Sequence, residues 1–279
     1  MSDALLSVLL PTPHDEDRFT GSNRYPGSFR VYGGQVLAQC VGAAIQTVDP
    51  ERVLHSQHAY FLRQGDTNKP IEYEVERARD GFSFSSRRVV ALQDGKPILV
   101  STLSFQGAST GDDYQPEMVQ VPGPETLKSE RQLYEEAGKP EEAFLVTAGE
   151  DLDVRMIEPI DWDNLAPREP ILHAWMKTTS PLGANLGEHQ AILAYMSDTL
   201  LIDVCLIAHG RAFDGKDFQV ASLDHALWYH EDFRADQWLL HTVEAERIGG
   251  GRGLARGSFY TAEGRLVATA IQQGVMRFR

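Results

Sequence analysis

The first part of the chain consists of one uncharged segment followed by several strand-like segments. Residues 33–47, GGQVLAQCVGAAIQT, are mostly small or apolar and carry no charge, which is typical of a helix buried on several sides. The segments after it are rich in β-branched and aromatic residues and are separated by turn signals such as Asp94-Gly95. The predicted strands are residues 53–63, 71–79, 83–94 and 97–106.

The same order of elements returns after residue 188. Residues 189–210, HQAILAYMSDTLLIDVCLIAHG, predict a second buried helix. The strands after it are predicted near residues 219–230, 237–248, 253–261 and 265–277. Alignment of the two helices places Gln35 opposite Asp198. Alignment of the strands places His58 opposite His225. We therefore predict a duplicated unit of one buried helix and one antiparallel sheet, since tight hairpins join antiparallel strands.

The fold class that this pattern predicts is α+β, with two repeats joined by a linker. The N-terminal repeat takes residues 1–106, and the C-terminal repeat takes residues 171–279. Residues 107–170 contain several prolines and more acidic than basic residues, which is typical of a linker. One short helix is predicted near residues 125–138.

Composition and charge narrow the classes of function. Of the 279 residues, 42% are hydrophobic and 24% are charged, as in an ordinary globular protein with a core. The net charge of −14 argues against nucleic acid as a partner, because phosphate binding needs a basic surface. No apolar stretch is long enough to cross a bilayer. The two cysteines, Cys40 and Cys205, form neither a disulfide framework nor a metal-binding pair.

The expected location is the cytoplasm. The apolar run Ala4–Leu10 has no leading positive charge and no small-residue cleavage site, so it does not look like a signal peptide. The ending VMRFR differs from a peroxisomal Ser-Lys-Leu ending. A chain with only two cysteines suits a reducing compartment.

Two glycine-rich segments invite other interpretations, which their surroundings argue against. Gly249–Gly253 lacks the dinucleotide-binding spacing, and a strand-like segment follows it, so we expect a turn there. Gly107–Gly111 fits the Gly-x-Ser-x-Gly pattern of a nucleophilic serine. The helix which that pattern requires is not predicted after it, because Pro116 comes early.

Five segments closely resemble the type II acyl-CoA thioesterases of the TesB type. They are VYGGQVLAQ, HAYFLRQGD, DGFSFSSRRV, DHALWYH and VATAIQQGVMR. The resemblance covers both halves and is weakest in the linker. It implies a double-hotdog fold, in which each of two repeats has a central helix wrapped by an antiparallel sheet. It also implies hydrolysis of fatty acyl-CoA to free fatty acid and coenzyme A without metal or cofactor, by a homodimer or homotetramer.

The resemblance assigns the positioning of the attacking water to Asp198, Ser222 and Gln272. The aspartate ends a Tyr-Met-Ser-Asp sequence on the second helix. Ser222 comes two residues before the Asp-His of the next strand, where threonine is common in relatives, and Gln272 lies shortly before Gly-Val-Met-Arg. In the other half, Gln35 stands opposite Asp198, and Leu103 stands opposite Gln272. We therefore expect one active site per chain.

These residue types suit thioester hydrolysis. The reaction needs a water that is activated and aimed at the acyl carbon, and donors for the oxyanion that forms. A carboxylate in apolar surroundings is a better base, and a hydroxyl and an amide can hold the same water without adding charge. The backbone N–H groups of Gly33 and Gly34 are candidates for the oxyanion hole. Asp203 lies about 140° from Asp198 on an uninterrupted helix, so it is interpreted as structural.

Other polar side chains remain candidates. His58 can act as an acid or base near neutral pH, but its counterpart His225 favours a shared structural role, such as a strand-end hydrogen bond. Gln273 lies on the opposite face of the strand from Gln272, so we do not expect it at the site. Candidates for contact with the phosphates of coenzyme A are Arg87, Arg88, Arg252 and Arg256.

Two alternative functions use the same fold. A hotdog enoyl-CoA hydratase has a helix aspartate followed five residues later by a histidine, and here Asp203 occupies that later position. A non-catalytic acyl-CoA-binding protein has no need of a polar set such as Asp198, Ser222 and Gln272. Both alternatives are therefore less favoured than hydrolysis.

Overall fold

The computed structural model describes residues 4–25, 28, 30–138, 151–161, 164–211 and 218–278. The chain divides into two units, each built from three segments. The first unit combines Met1–Asp113, Gly183–Thr199 and Ser222–His230. The second combines Tyr114–Leu182, Leu200–Ala221 and Glu231–Arg279. The repeat boundaries expected at residues 106 and 170 stay a prediction.

The described helices and strands follow in chain order. The helices are α1 (Ala4–Leu9), α2 (Gly33–Ile45), α3 (Glu130–Glu136), α4 (Leu186–Ser197) and α5 (Asp203–Ile207). The strands are β1 (Thr12–Asp15), β2 (Arg18–Gly21), β3 (Val53–Phe61), β4 (Ile71–Asp80), β5 (Phe84–Gln93), β6 (Lys96–Gln106), β7 (Leu152–Met156), β8 (Ile171–Thr178), β9 (Phe218–Ser222), β10 (Asp224–Tyr229), β11 (Leu239–Gly249), β12 (Arg252–Thr261) and β13 (Leu266–Phe278).

The first unit has one sheet that packs against α2. Its strands follow in the order β1-β2-β4-β5-β6-β3-β10, and each neighbouring pair is antiparallel. The helix α2 contacts β3, β4, β5 and β6, and it also packs along α4. The four strands predicted in the first half are confirmed as β3 to β6, with ends that differ by at most two residues.

The second unit has a sheet in the order β13-β12-β11-β8-β7, again antiparallel between neighbours, and β9 also pairs with β13. The short helix α5 contacts β11 and β12. The turn between these strands contains Gly250 and Gly251 at φ values of 60° and 72°, a conformation that favours glycine. The expected turn is confirmed, and a strand follows it.

The segment between residues 107 and 170 is more structured than a linker. A 3₁₀ helix at Pro124–Thr126 and α3 confirm the short helix predicted there. The strand β7 was not predicted, and it pairs with β8. Residues 139–150 and 162–163 of the expected linker lie outside the described residues.

The serine-nucleophile pattern at Gly107–Gly111 is not met. This segment and the residues up to Gly123 have no regular secondary structure, so the required helix does not follow the serine.

The central helix α2 is buried because it carries no charge, and its polar side chains have partners. Gln39 donates to the carbonyls of Val8 and Ser22 at 2.7 and 2.8 Å. Its Oε1 accepts a hydrogen bond from the Tyr73 hydroxyl at 2.5 Å. A buried amide with all of these partners avoids the cost of desolvation. The prediction of a buried helix at this place is confirmed.

The second predicted helix is wrong as a single element. The helix α4 ends at Ser197, and Leu200 has a φ of 69°, which is incompatible with a continuing right-handed helix. A separate short helix, α5, begins at Asp203. The angular relation between Asp203 and Asp198 on one helix therefore does not exist, although the hydratase-type histidine is still absent from position 203.

The strand predicted near residues 219–230 is also interrupted. It divides at Leu223 into β9 and β10, and β10 pairs with β3. The carbonyl of Leu223 accepts a hydrogen bond from the Phe61 N–H at 2.9 Å, which holds this interruption against the end of β3. Ser222 therefore lies at a break between two strands.

Candidate active site

Asp198 is the residue that follows the last turn of α4, and its carboxylate reaches the start of α2. Its Oδ2 accepts a hydrogen bond from the Gly34 N–H at 2.9 Å. The first N–H groups of a helix have no partner within the helix, and the helix dipole is positive at this end. The start of α2 thus supplies both a donor and a favourable field for the negative charge of Asp198.

The start of α2 requires glycine because other groups approach it closely. A Cβ atom on Gly33 would lie 2.6 Å from Asp198 Oδ2 and 3.0 Å from the Phe61 ring. A Cβ atom on Gly34 would overlap with the carbonyl oxygen of Tyr195 and with the Tyr32 ring. The sequence Gly33-Gly34 therefore lets the carboxylate and the end of α4 come into contact with the backbone of α2.

The structure removes Gly34 from the two candidate donors of the oxyanion hole. The Gly34 N–H donates to Asp198, so it is not available to an oxyanion while that bond persists. Within the described part of the chain, the Gly33 N–H donates no hydrogen bond. Of the two candidate donors, Gly33 is the one that remains.

Tyr32 joins the two helices beside this contact. Its hydroxyl donates to the Tyr195 carbonyl at 3.0 Å and lies 3.1 Å from the Thr199 hydroxyl. Because the tyrosine proton goes to the carbonyl, the threonine is the donor in the second bond. The rings of Tyr32 and Tyr195 also pack edge to face, with centroids 5.0 Å apart. Burial raises the pKa of Tyr195, whose phenol therefore stays protonated.

Tyr32→Phe is expected to destabilise the protein by about 1 kcal/mol, because the Tyr195 carbonyl loses its donor. Urea unfolding of the variant and the parent measures this difference. Tyr114→Phe is the matched control, since Tyr114 is 93% exposed. Equal unfolding midpoints for all three proteins would show that the Tyr32 hydroxyl contributes nothing to stability.

The two histidines do not share one structural role, so that expectation is wrong. His58 is exposed on β3, and its ring packs edge to face on Trp228 with centroids 5.0 Å apart. His225 is 1% exposed, and its Nε2 lies 2.9 Å from the Ser197 hydroxyl. The two positions differ because β3 and β10 pair with His58 opposite Ala226, which sends the two rings to opposite faces of the sheet.

The other two predicted site residues lie on different strands. Ser222 is half-buried at the end of β9 and belongs to the first unit. Gln272 is fully buried in β13 of the second unit, where it pairs with Ala255. Gln273 is half-buried and points to the other face, as expected. The convergence of Asp198, Ser222 and Gln272 on one water stays a prediction.

The corresponding positions of the first half are occupied differently. Gln35 is buried; its Oε1 accepts from the Arg24 N–H at 3.0 Å, and its Nε2 donates to Asn23 Oδ1 at 3.0 Å. This amide therefore holds the loop before α2. Leu103 is fully buried in β6. Neither residue supplies a carboxylate.

The cysteines are poor nucleophiles. Burial raises the pKa of the Cys205 thiol to about 12 and also raises that of Cys40. A thiol that stays protonated at neutral pH does not attack a thioester. In the described ranges of the chain, no cluster of His, Cys, Asp and Glu has the arrangement of a metal site. Within the same ranges, no helix is both long and apolar enough to span a membrane.

Three of the four candidate arginines are already engaged. Arg87 is 1% exposed, and its guanidinium binds Asp80 and both the hydroxyl and the carbonyl of Thr47. The remaining pairs are Arg88 with Glu76, and Arg256 with Glu244 and Glu246. Arg252 lines an open depression of about 310 Å³ beside the glycine turn and remains the candidate for a phosphate contact.

Comparison with known proteins identifies the family. Residues 168–275 match the family model described as acyl-CoA thioesterase, and residues 22–106 match the one described as acyl-CoA thioesterase N-terminal domain. Acyl-CoA thioesterase 2 of Haemophilus influenzae is 35% identical over 287 residues, which span 100% of this chain and 99% of that protein. The chain belongs to the acyl-CoA thioesterase family.

Comparison with solved structures extends the agreement to the fold. The acyl-CoA thioesterase II TesB2 of Mycobacterium marinum is 35% identical, with a TM-score of 0.82 and coverage of 99% of both chains. A protein of Alicyclobacillus acidocaldarius described as having a hotdog fold is 19% identical, with a TM-score of 0.79 and coverage of 99% of both chains. The expected hotdog fold is confirmed, and its exact organisation in two repeats stays a prediction.

Sequence reasoning missed the side chains that support Asp198. Tyr32 and Ser197 had no assigned role, although each lies next to a predicted site residue in the sequence. The Tyr-Met-Ser-Asp sequence could have indicated a role for Ser197, because Ser197 is the last residue of α4 and directly precedes Asp198. No sequence pattern links Tyr32 to Thr199, which are 167 residues apart.

Proposed function

We propose that the protein hydrolyses acyl-CoA thioesters to free fatty acid and coenzyme A, with Asp198 as the base that activates water. The observation that carries this proposal is the hydrogen bond from the Gly34 N–H to Asp198 Oδ2 at 2.9 Å. It fixes a half-buried carboxylate at the start of a buried helix, in a chain that belongs to the acyl-CoA thioesterase family.

The proposed reaction begins when Asp198 takes a proton from water. The water oxygen forms a bond to the thioester carbon, and the carbonyl oxygen becomes an oxyanion. Collapse of this intermediate breaks the carbon–sulfur bond, and the coenzyme A sulfur leaves and takes up the proton held by Asp198, which restores the carboxylate. Ser222 and Gln272 orient the water without adding charge. The Gly33 N–H at the positive end of α2 is the proposed donor to the oxyanion. The mechanism uses no metal and no cofactor.

The proposed setting follows the family. The partner is an acyl-CoA substrate, and the net charge of −14 disfavours nucleic acid. We propose a homodimer or homotetramer in the cytoplasm, where the two unpaired cysteines stay reduced. We also propose that residues 1–106 and 171–279 are the two repeats and that the second carries the water-positioning set.

A release assay with a thiol dye such as Ellman's reagent tests this function directly. Incubation with acyl-CoA of several chain lengths is expected to liberate coenzyme A and an equal amount of free fatty acid. An enoyl-CoA substrate is expected to show no loss of its conjugated absorbance, since position 203 holds no histidine. Binding of acyl-CoA without release of thiol would favour an acyl-CoA-binding protein, and hydration without release would favour a hydratase.

A further inference from the structure

Two hydrogen bonds converge on the hydroxyl of Ser197, the last residue of α4. Its Oγ donates to the Ala194 carbonyl at 2.9 Å and lies 2.9 Å from Nε2 of His225. A hydroxyl has one proton, and a carbonyl can only accept, so that proton goes to Ala194. The Nε2 of His225 therefore carries a proton and donates to Ser197.

Both members of this pair are removed from solvent. Ser197 is fully buried and His225 is 1% exposed. A hydrogen bond between buried groups is costly to lose, because the remaining partner keeps its desolvation cost without compensation. The bond between His225 and Ser197 therefore restricts the end of α4 more strongly than a bond at the surface would.

Each member of the pair lies close in the sequence to one of the proposed water-positioning residues. Ser197 directly precedes Asp198, and His225 follows Ser222 by three residues at the start of β10. The strand β10 is itself fixed, because it pairs with β3 with His225 opposite Ala59. The bond thus ties the helix end that carries the carboxylate to β10, which begins two residues after Ser222.

We propose that His225 is a positioning residue, whose imidazole holds Ser197 and thereby sets Asp198 against the Gly34 N–H and beside Ser222. This inference rests on the proposed thioesterase function. A second contact between the same strand and helix allows a positioning role to be distinguished from a merely structural one. The Tyr229 hydroxyl donates to the Gln190 carbonyl at 3.0 Å, also in buried surroundings, but two turns of α4 away from Asp198.

His225→Leu removes the donor, and Tyr229→Phe removes the comparison bond. Displacement of a reacting group by about 1 Å can cost about 100-fold in rate, so we expect His225→Leu to lower kcat by about 10- to 100-fold with little change in KM. His225→Gln, whose amide N–H can reach toward Ser197, is expected to recover most of that loss. Tyr229→Phe is expected to lower the unfolding midpoint while kcat stays near that of the parent.

The backbone amide proton of Gly34 gives a readout that does not depend on turnover. Because this N–H donates to Asp198, its NMR chemical shift reports where the carboxylate lies. We expect the Gly34 signal to move in His225→Leu and in Ser197→Ala but not in Tyr229→Phe. Ser197→Ala is the smaller change and replaces His225→Leu if the latter fails to fold.

The outcomes separate this inference from the proposed function. Parent-like kcat and an unchanged Gly34 signal in both His225→Leu and Ser197→Ala would overturn the positioning role. Equal losses of kcat in His225→Leu and Tyr229→Phe would also overturn it, since a general loss of stability would then explain both. If the parent protein releases no coenzyme A, the proposed function fails, and the Gly34 signal alone decides whether His225 positions Asp198.

Discussion

Asp198→Asn is expected to lower kcat for acyl-CoA hydrolysis by about 10²- to 10⁴-fold, the usual contribution of a positioned general base. The amide has nearly the shape of the carboxylate and its oxygen can still accept from the Gly34 N–H, but it cannot take a proton from water. KM is expected to change little, because the substrate contacts are unaffected. Steady-state kinetics with one acyl-CoA substrate measure both parameters.

Asp203→Asn is the matched control for this prediction. It makes the same chemical change on α5, five residues later in the chain, at a position to which the proposed mechanism gives no role. Its kcat is expected to stay close to that of the parent. Full activity of Asp198→Asn, or an equal loss in both variants, would remove the proposed base.

Gly34→Ala is expected to destabilise the protein by about 2–3 kcal/mol and to abolish most activity. Alanine is the better helix former by about 1 kcal/mol, so helix propensity alone predicts the opposite sign. The new methyl group would overlap with the Tyr195 carbonyl oxygen and the Tyr32 ring. Neither group can easily move aside, because the first is part of the backbone and the second is held by the hydrogen bond of its hydroxyl. The overlap is therefore expected to dominate and to push the end of α4 away from α2.

Urea unfolding and kcat together measure the effect of Gly34→Ala. Gly123→Ala is the control, because Gly123 has a φ of −66° and, apart from its two neighbours in the chain, no described residue lies within 4 Å of its new Cβ. Its stability and activity are expected to match those of the parent. A Gly34→Ala protein as stable as the parent would mean that the two helices can separate at no cost.

The sequence was sufficient for elements with a strong periodic pattern. The helix α2 was predictable because it combines many small residues with no charge, and β3 to β6 because turn signals separate their apolar runs. The end of α4 was not predictable. Neither glycine nor proline marks the break, and Leu200 adopts its left-handed conformation within an apolar run that equally suits a helix.

The strands β7 and β8 were missed for a different reason. The strand β7 lies within the proline-containing segment, whose composition suggested a linker, and β8 directly follows that segment. Only the pairing of β7 with β8, and of β8 with β11, makes them part of a sheet. The contact between Asp198 and Gly34 joins positions 164 residues apart. Local sequence patterns contain no information about contacts between residues so far apart in the chain. The family motif therefore indicated the carboxylate of Asp198 but not the Gly34 N–H that donates to it.

Because α2 has no charged side chain of its own, the charges beside the two ends of its dipole come from other parts of the chain. Asp198 meets the amino end through Gly34, and the guanidinium of Arg87 meets the carboxyl end through the carbonyl of Thr47 at 2.8 Å. The proposed base is thus also the anionic counterpart of a buried helix. A side chain without an acceptor at position 198 is therefore expected to lower stability as well as activity, because the Gly34 N–H would lose its partner.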